Sequence, residues 1–178
     1  MTSSRILPVL ATGVLALGLL AGCAPTPEPK PTKTAAFASD EEAFAAAEET
    51  YQDYIGALNN VKFEDPTTFT HAFELSRGEL NASDREYLSS MHAESYSRTG
   101  STVVGSFEGD SYAASEGTIH ATTCIDVSDV DIVDEDGASV VSPDRPNAYR
   151  MAVVFEIDED RILVTESSPT EDLDSCDA

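Results

Sequence analysis

The spacing of apolar residues predicts a long helix at the start of the folded part of the chain. After Ser39, apolar side chains recur every three or four residues, and acidic side chains occupy the opposite face. Ser39 followed by Glu42 is typical of a capping box, and Asn59 and Asn60 are expected to end the helix. The apolar stripe consists of Phe44, Ala47, Tyr51, Tyr54, Ile55 and Leu58.

Two shorter helices are predicted to follow. Asp65-Pro66 places a proline at the first position of a second helix, which Gly78 is expected to break. Ser83 with Glu86 is another capping box and predicts the start of a third helix. The residues expected to be buried are Phe69, Ala72 and Phe73 in the second helix, and Tyr87, Leu88 and Met91 in the third.

After about residue 98 the apolar period changes to two, which predicts β-strands. The predicted order is a strand over 102–107, a turn at 109–111, a strand over 118–127, a long connection over 134–147, a strand over 151–157, a tight reversal at 158–160 and a strand over 161–165. Successive strands with short turns pair antiparallel. Helices followed by strands predict an α+β fold, in which N-terminal helices pack on one face of an antiparallel sheet of four to five strands.

Residues 1–22 have the layout of a signal peptide. Arg5 is the only charged residue before position 28, and residues 6–20 are mainly apolar. This run is shorter than the roughly 20 apolar residues that a membrane-spanning helix needs. A charged start, a short apolar centre and small residues at the end predict export from the cytoplasm.

The sequence Leu20-Ala21-Gly22-Cys23 directly after this run resembles the lipobox of bacterial lipoproteins. The resemblance implies cleavage between Gly22 and Cys23 and a diacylglyceryl group on the thiol of Cys23. Two acyl chains are enough for stable anchoring, so we expect the protein at the cell membrane, on its extracytoplasmic face. The alternative is an ordinary cleaved signal in which the cysteine is incidental.

The remaining chain divides into a tether, one domain and a tail. Residues 23–38 contain four prolines and form a semi-extended spacer, residues 39–168 suffice for one α+β domain, and residues 169–178 are an acidic tail. Loss of Arg5 on cleavage would take the net charge from −23 to −24. Such a charge argues against nucleic acid as a partner and favours solubility over ligand binding as the role of the acids.

Cys124 and Cys176 are the two cysteines that remain once Cys23 is lipidated. In an extracytoplasmic protein an even pair predicts a disulfide, which would attach the acidic tail to the domain. Two free thiols are the alternative. A catalytic cysteine is disfavoured because no basic residue lies near either one in sequence to lower the pKa of its thiol.

Three helices followed by an antiparallel sheet resemble the cone-like, nuclear-transport-factor-like (SnoaL-like, cystatin-like) α+β fold. The segments Cys124-Ile125-Asp126-Val127-Ser128, 134–137 and Ser142-Pro143-Asp144-Arg145-Pro146 are also similar to a group of small bacterial lipoproteins of that type. The resemblance covers most of residues 39–168. It implies a curved sheet, and it leaves function open because such folds host enzymes, binding modules and assembly domains.

Candidate site residues are few. Enzymes of this fold place a base and a tyrosine in the cone, and Tyr51 and Tyr54 are the pocket-lining candidates on the buried stripe. His120 and Asp126 should point away from the apolar face of their strand. His71 and His92 lack a partner at zinc spacing. The acids between 126 and 137 do not fit a helix-loop-helix calcium loop, which leaves a charged edge that blocks sheet association as the favoured interpretation and a looser calcium site in a hairpin as the alternative.

No catalytic constellation, metal site or cofactor motif is recognised, so the sequence favours a lipid-anchored module that binds an unidentified protein or small molecule. An isomerase- or cyclase-type enzyme is the first alternative. A subunit of an envelope complex, pairing through its sheet into a homodimer or with another protein, is the second. A deep apolar pocket that holds an acid or a histidine beside a tyrosine would favour the enzyme.

Overall fold

The computed structural model describes residues 36–170 and Cys176; the predicted signal peptide and most of the predicted tether and tail lie outside the described residues. The helical part comes first in the chain. It comprises α1 (Asp40–Asn59), a short 3₁₀ helix (Pro66–Phe69), α2 (Thr70–Leu75) and α3 (Gly78–Ala93). None of the described helices is long and apolar enough to cross a membrane.

Helix α1 begins and ends where the sequence predicts. The Ser39 hydroxyl accepts a hydrogen bond from the Glu42 amide (3.2 Å), and the Glu42 carboxylate accepts one from the Ala38 amide (2.9 Å). Two amides that have no partner inside the helix are thereby satisfied. Ala43 and Ala47 are completely buried, so the start of α1 lies close against the sheet.

The predicted start of the third helix is wrong. Ser83 and Glu86 lie inside α3, which begins five residues earlier at Gly78, with a φ of +64° there. A glycine adopts this φ without strain, so Gly78 starts α3 rather than merely ending α2. The Asn81 amide group stabilises the junction by donating to the carbonyls of Phe73 (2.8 Å) and Ser76 (3.2 Å).

The strands form two antiparallel sheets among the described residues. The main sheet has the order β2 (Val103–Ala113), β3 (Thr118–Asp126), β5 (Ala148–Asp158) and β6 (Arg161–Pro169). The small sheet pairs β1 (Ser97–Thr99) with β4 (Asp131–Val133). The predicted α+β class is confirmed, with helices packed on an antiparallel sheet of four strands.

Register shifts curve the main sheet into a cone-like shape. They lie in β2, between Val104 and Phe107 and between Gly109 and Ser111, and in the pairing of β5 with β6, where β6 has an extra residue opposite the step from Val154 to Phe155. Such irregularities bend a strand and increase its twist. The concave side packs against α1, and the buried side chains between them form the larger core cluster.

The turn predicted at Gly109-Asp110-Ser111 is wrong, because these residues continue β2. A Cβ atom built on Gly109 would lie 2.1 Å from the Phe44 ring of α1. Glycine at this position therefore permits close helix–sheet packing rather than a reversal. The actual turn to β3 contains Gly117, with a φ of +73°, whose amide donates to the Ala113 carbonyl (2.8 Å).

The later part of the sheet agrees with the predicted pattern. In β3, Ile119, Ala121 and Thr123 are buried, as alternation requires. The reversal between β5 and β6 is confirmed at Glu159-Asp160, since Asp158 pairs with Arg161 in register. The connection from β4 to β5 is anchored where Ser139 bridges Val133.

Candidate functional site

Two neighbouring cavities lie between α1, α3 and the strands. The tyrosine-lined cavity, bounded by Tyr51, Tyr54 and Ser167, measures about 370 Å³. The arginine-lined cavity, bounded by Arg98 and Arg145, measures about 330 Å³. Both volumes fall at the lower end of the range for small-molecule sites. Their walls share Ile55, Leu58, Asp84, Tyr87 and Thr102.

The two tyrosines named from the sequence lie on the wall of the tyrosine-lined cavity, and their rings are buried. The hydroxyls of Tyr51 and Ser167 share a hydrogen bond of 3.0 Å. Burial raises the pKa of Tyr51, and the bond with Ser167 opposes this shift. Burial, and to a smaller extent the nearby Asp84 charge, also raises the pKa of Tyr54. Both phenols therefore stay protonated at neutral pH.

An acid that the sequence analysis did not name stands beside Tyr54. The Tyr54 hydroxyl donates to both carboxylate oxygens of Asp84, at 2.9 and 3.1 Å, and the Ser76 hydroxyl donates to one of them at 3.2 Å. Burial raises the pKa of Asp84, while the hydrogen bonds from Tyr54 and Ser76 lower it by less. The cone thus holds an acid next to a tyrosine on an apolar wall.

The signal that could have identified Asp84 was present in the sequence. Leu80, Asp84, Leu88 and Met91 follow one another at spacings of four, four and three residues, which place them on one face of α3. An acid within an apolar stripe is expected to face a buried partner. A helix that started at Ser83 would have Asp84 in its first turn, where an acid is favourable without a buried partner, so the predicted start conceals this pattern.

Asp84→Asn is expected to stabilise the protein at neutral pH relative to the wild type, and the gain should vanish in acid. Because the pKa of Asp84 is raised in the folded state, folding favours its protonated form. The cost of ionisation appears as pH rises above the unfolded pKa, near 3.8, and is complete above the folded pKa. Asparagine keeps an oxygen acceptor for Tyr54 and carries no charge.

Urea unfolding of both proteins at several pH values between 4 and 7 measures this effect. Asp53→Asn, on the exposed side of α1, is the matched control because it removes one carboxylate from the surface of the same acidic chain. An advantage of Asp84→Asn that stays constant from pH 4 to pH 7 would contradict a partly buried, ionised Asp84 as its origin.

The arginine-lined cavity has mainly apolar walls and two guanidinium groups. Arg98 extends from β1 and donates to the Leu58 carbonyl and to the Asn59 side chain, each at 2.9 Å. Arg145 lies in the connection to β5 and donates to the carbonyls of Val127 (2.7 Å) and Val130 (2.9 Å). Neither arginine was named as a site residue from the sequence.

The histidines lie apart from the cavities. His120 is exposed on the outer side of β3, as strand parity predicts. His71 is exposed near Glu74, at 3.8 Å, and His92 shares a hydrogen bond with the Phe63 carbonyl (2.8 Å). They do not come together into a site.

The acids between 126 and 137 organise the local backbone. One oxygen of Asp134 accepts from the amides of Asp136 (3.0 Å) and Ala138 (2.8 Å). Asp126 accepts from the Ser128 amide (2.7 Å), and hydrogen bonds from the backbone and the side chain of Ser128 lower the pKa of Asp126. Over residues 36–170 and Cys176, no group of three or more acids, histidines or cysteines could hold a metal ion.

The predicted disulfide is present and joins Cys124 of β3 to Cys176, with 52 residues of sequence separation. Cys124 belongs to the same strand as the buried Ile119 and Ala121. The bond therefore attaches Cys176 to a central strand of the main sheet. Neither cysteine lines either of the two cavities described above.

Comparisons with known proteins identify the fold. No family model and no curated protein matches the chain. The crystal structure of a "putative aromatic ring hydroxylase" from Novosphingobium aromaticivorans covers 73% of this chain and 94% of its own, with a TM-score of 0.51 and 14% identity. That of the intermembrane space region of the chloroplast protein ARC6 covers 71% and 95%, with a TM-score of 0.49 and 14% identity. The likeness to the first shows a shared α+β, cone-like fold alone.

Proposed function

We propose that the chain is a small-molecule-binding module that holds an apolar ligand between its helices and its sheet. The observation that carries the proposal is the pair of adjoining cavities, which a cone filled by its own side chains would not leave open. Their shared wall includes Ile55 and Leu58, which favour an apolar ligand. Tyr87, 46% exposed, lies on the wall of both cavities and gives the ligand an aromatic surface to contact.

Leu58→Trp is expected to weaken binding of an apolar ligand at least about tenfold, because the larger side chain occupies both cavities at their shared wall. The neutral fluorophore N-phenyl-1-naphthylamine is a suitable probe, since its emission rises in apolar surroundings. Titration of the purified full chain and of the variant measures the dissociation constants directly.

Val103→Trp provides the matched control. Val103 is 58% exposed and lines neither cavity, so this variant adds the same indole to the surface of a chain that contains no tryptophan. Thermal unfolding of all three proteins shows that each is folded. Equal affinity of Leu58→Trp and Val103→Trp for the fluorophore, or no binding by the wild type, would refute the proposed site.

We further propose that this module belongs to a bacterial lipoprotein held by lipid on Cys23 at the extracytoplasmic face of the cell membrane. The support is the sequence Leu20-Ala21-Gly22-Cys23 after a short apolar run. The Cys124–Cys176 disulfide adds support, because such bonds persist outside the cytoplasm. Within this proposal the domain is of the nuclear-transport-factor-like, SnoaL-like type.

Metabolic labelling of cells with a palmitate analogue tests the anchor. The wild-type protein should carry the label, and Cys23→Ala should abolish it because no other thiol follows a lipobox. Cys176→Ala is the control and should keep the label, since it removes a cysteine of the disulfide. Label that persists in Cys23→Ala would place the modification elsewhere.

A general acid–base enzyme of the isomerase or cyclase type is the second candidate, and the pairing of Asp84 with Tyr54 favours it. A catalytic base must reach the proton that it abstracts. The Tyr54 and Ser76 hydroxyls already donate to the Asp84 carboxylate, so the base is engaged by the protein itself. This engagement places the binding role first.

A further inference from the structure

The arginine-lined cavity concentrates positive charge inside an acidic protein. The chain has 33 acidic residues against 10 lysines and arginines, and two of those arginines line this single cavity. A guanidinium that is taken partly out of water usually has a carboxylate as its partner, and this chain has many carboxylates to offer. Among residues 36–170, neither Arg98 nor Arg145 lies within ion-pair distance of one.

The partners of both guanidinium groups are neutral. Arg98 donates to the Leu58 carbonyl, the Asn59 side chain and the Thr102 hydroxyl (3.2 Å), and Arg145 donates to two backbone carbonyls. A guanidinium carries five N–H donors. Both arginines therefore keep N–H donors that no hydrogen bond to the protein occupies, and each keeps its full positive charge. Asp84, on the same wall, is bonded to Tyr54 and Ser76 instead.

Each arginine also stabilises the surrounding backbone, since Arg98 binds a carbonyl in the last turn of α1, where the helix dipole favours a cation. That contact explains why one side of the Arg98 guanidinium faces the end of α1. It does not account for two cations in the lining of one cavity together with the apolar side chains of Phe63, Leu88 and Ile132. A charged head joined to an apolar body matches both parts of this lining.

We propose that the arginine-lined cavity binds an amphipathic anion, whose oxyanion head contacts Arg98 and Arg145 and whose apolar body lies against Phe63, Leu88 and Ile132. This inference rests on the proposed binding function and specifies the chemical class of the ligand. The donors that remain lie on Nε and Nη1, since both Nη2 hydrogens of each arginine already bind the protein. Each of these donors can bind one carboxylate oxygen in a charge-assisted hydrogen bond, so a medium-chain carboxylate is the simplest ligand of this class. The acidic outer surface does not prevent binding, because its field is screened over about 8 Å at physiological salt.

Decanoate and decanamide test the role of charge, because they share an apolar chain and differ in the head group. Isothermal titration calorimetry of the purified full chain at neutral pH should show decanoate binding roughly tenfold or more tightly than decanamide. Arg145→Gln should weaken decanoate binding by a similar factor and leave decanamide binding unchanged. Arg161→Gln, which removes an exposed arginine outside both cavities, should change neither affinity.

The outcomes separate this inference from the proposed function. If decanamide binds as tightly as decanoate to the wild type, the cavity binds apolar ligands and the preference for anions is refuted. If neither binds while the neutral fluorophore does, the ligand class is wrong and the binding module stands. If Arg161→Gln weakens decanoate binding as much as Arg145→Gln, the effect comes from net charge and the inference fails. The comparison of the two wild-type titrations stands even if Arg145→Gln does not fold.

Discussion

Loss of the Cys124–Cys176 bond is expected to lower the free energy of unfolding by about 4 kcal/mol. On the chain-entropy model, a cross-link over 52 residues of sequence separation removes that much loop-closure entropy from the unfolded chain. The effect is large compared with the roughly 5–15 kcal/mol by which domains are stable. For a domain of this size, the thermal midpoint should fall by roughly 8–16 °C.

Cys176→Ala is the sharper variant, because it breaks the bond without changing strand β3. Thermal and urea unfolding of this variant should match those of the wild type under a strong reductant. Cys23→Ala is the control that removes a thiol outside the bond, and it should unfold like the wild type. A midpoint that moves by less than about 2 °C would show that the cross-link hardly constrains the unfolded chain.

Where an element depends on local pattern, the sequence predicts it well. Helix α1 has a complete cap at Ser39 and an apolar stripe from Phe44 to Leu58, so its bounds follow from its own residues. Strand β3 alternates without interruption, and the reversal at Glu159-Asp160 has room for only a two-residue turn. These features need no knowledge of what packs against them.

Elements that depend on tertiary contacts were mispredicted. Gly109 resembles a turn residue in the sequence, but it is a position where Phe44 from α1 packs against the strand backbone. Gly78 resembles a helix breaker in the sequence, but in the structure α3 begins at this residue, where φ is positive. Tyr87 was expected to be buried and is 46% exposed beside the cavities. A glycine can form a turn or permit close packing, and a tyrosine can be buried or exposed. Which of these occurs depends on the side chains that pack against the residue in the folded protein.

The candidate site divides in the same way. Tyr51 and Tyr54 follow from the stripe of α1, and Asp84 could have been found from the stripe of α3. The position of Arg145 has no local signal, because its loop must first fold back to the carbonyls of Val127 and Val130. Arg98 likewise reaches the last turn of α1 from a strand some forty residues later in the chain. Non-local contacts of this kind assemble the charged half of the site.

Phe155→Ala is expected to lower the free energy of unfolding by about 3–5 kcal/mol, a cost comparable to the loss of the disulfide. Phe155 is fully buried in the middle of β5, and its ring lies 6.4 Å from the Tyr51 ring and 6.3 Å from the Phe107 ring, measured between centroids. Truncation removes the apolar contacts and leaves a cavity between α1 and the sheet that rigid strands cannot close.

Urea unfolding measures this loss, and Val103→Ala is the control that truncates an exposed side chain and should change stability by less than about 0.5 kcal/mol.

Phe155 lines neither cavity, so the folded fraction of Phe155→Ala should bind the neutral fluorophore with wild-type affinity. Leu58→Trp should show weaker binding in a protein that is still folded. Because Phe155 belongs to the core and lines neither cavity, whereas Leu58 lines both, stability and binding should respond differently to the two substitutions. A Phe155→Ala protein that loses both together under folding conditions would show that the cavity walls depend on this ring.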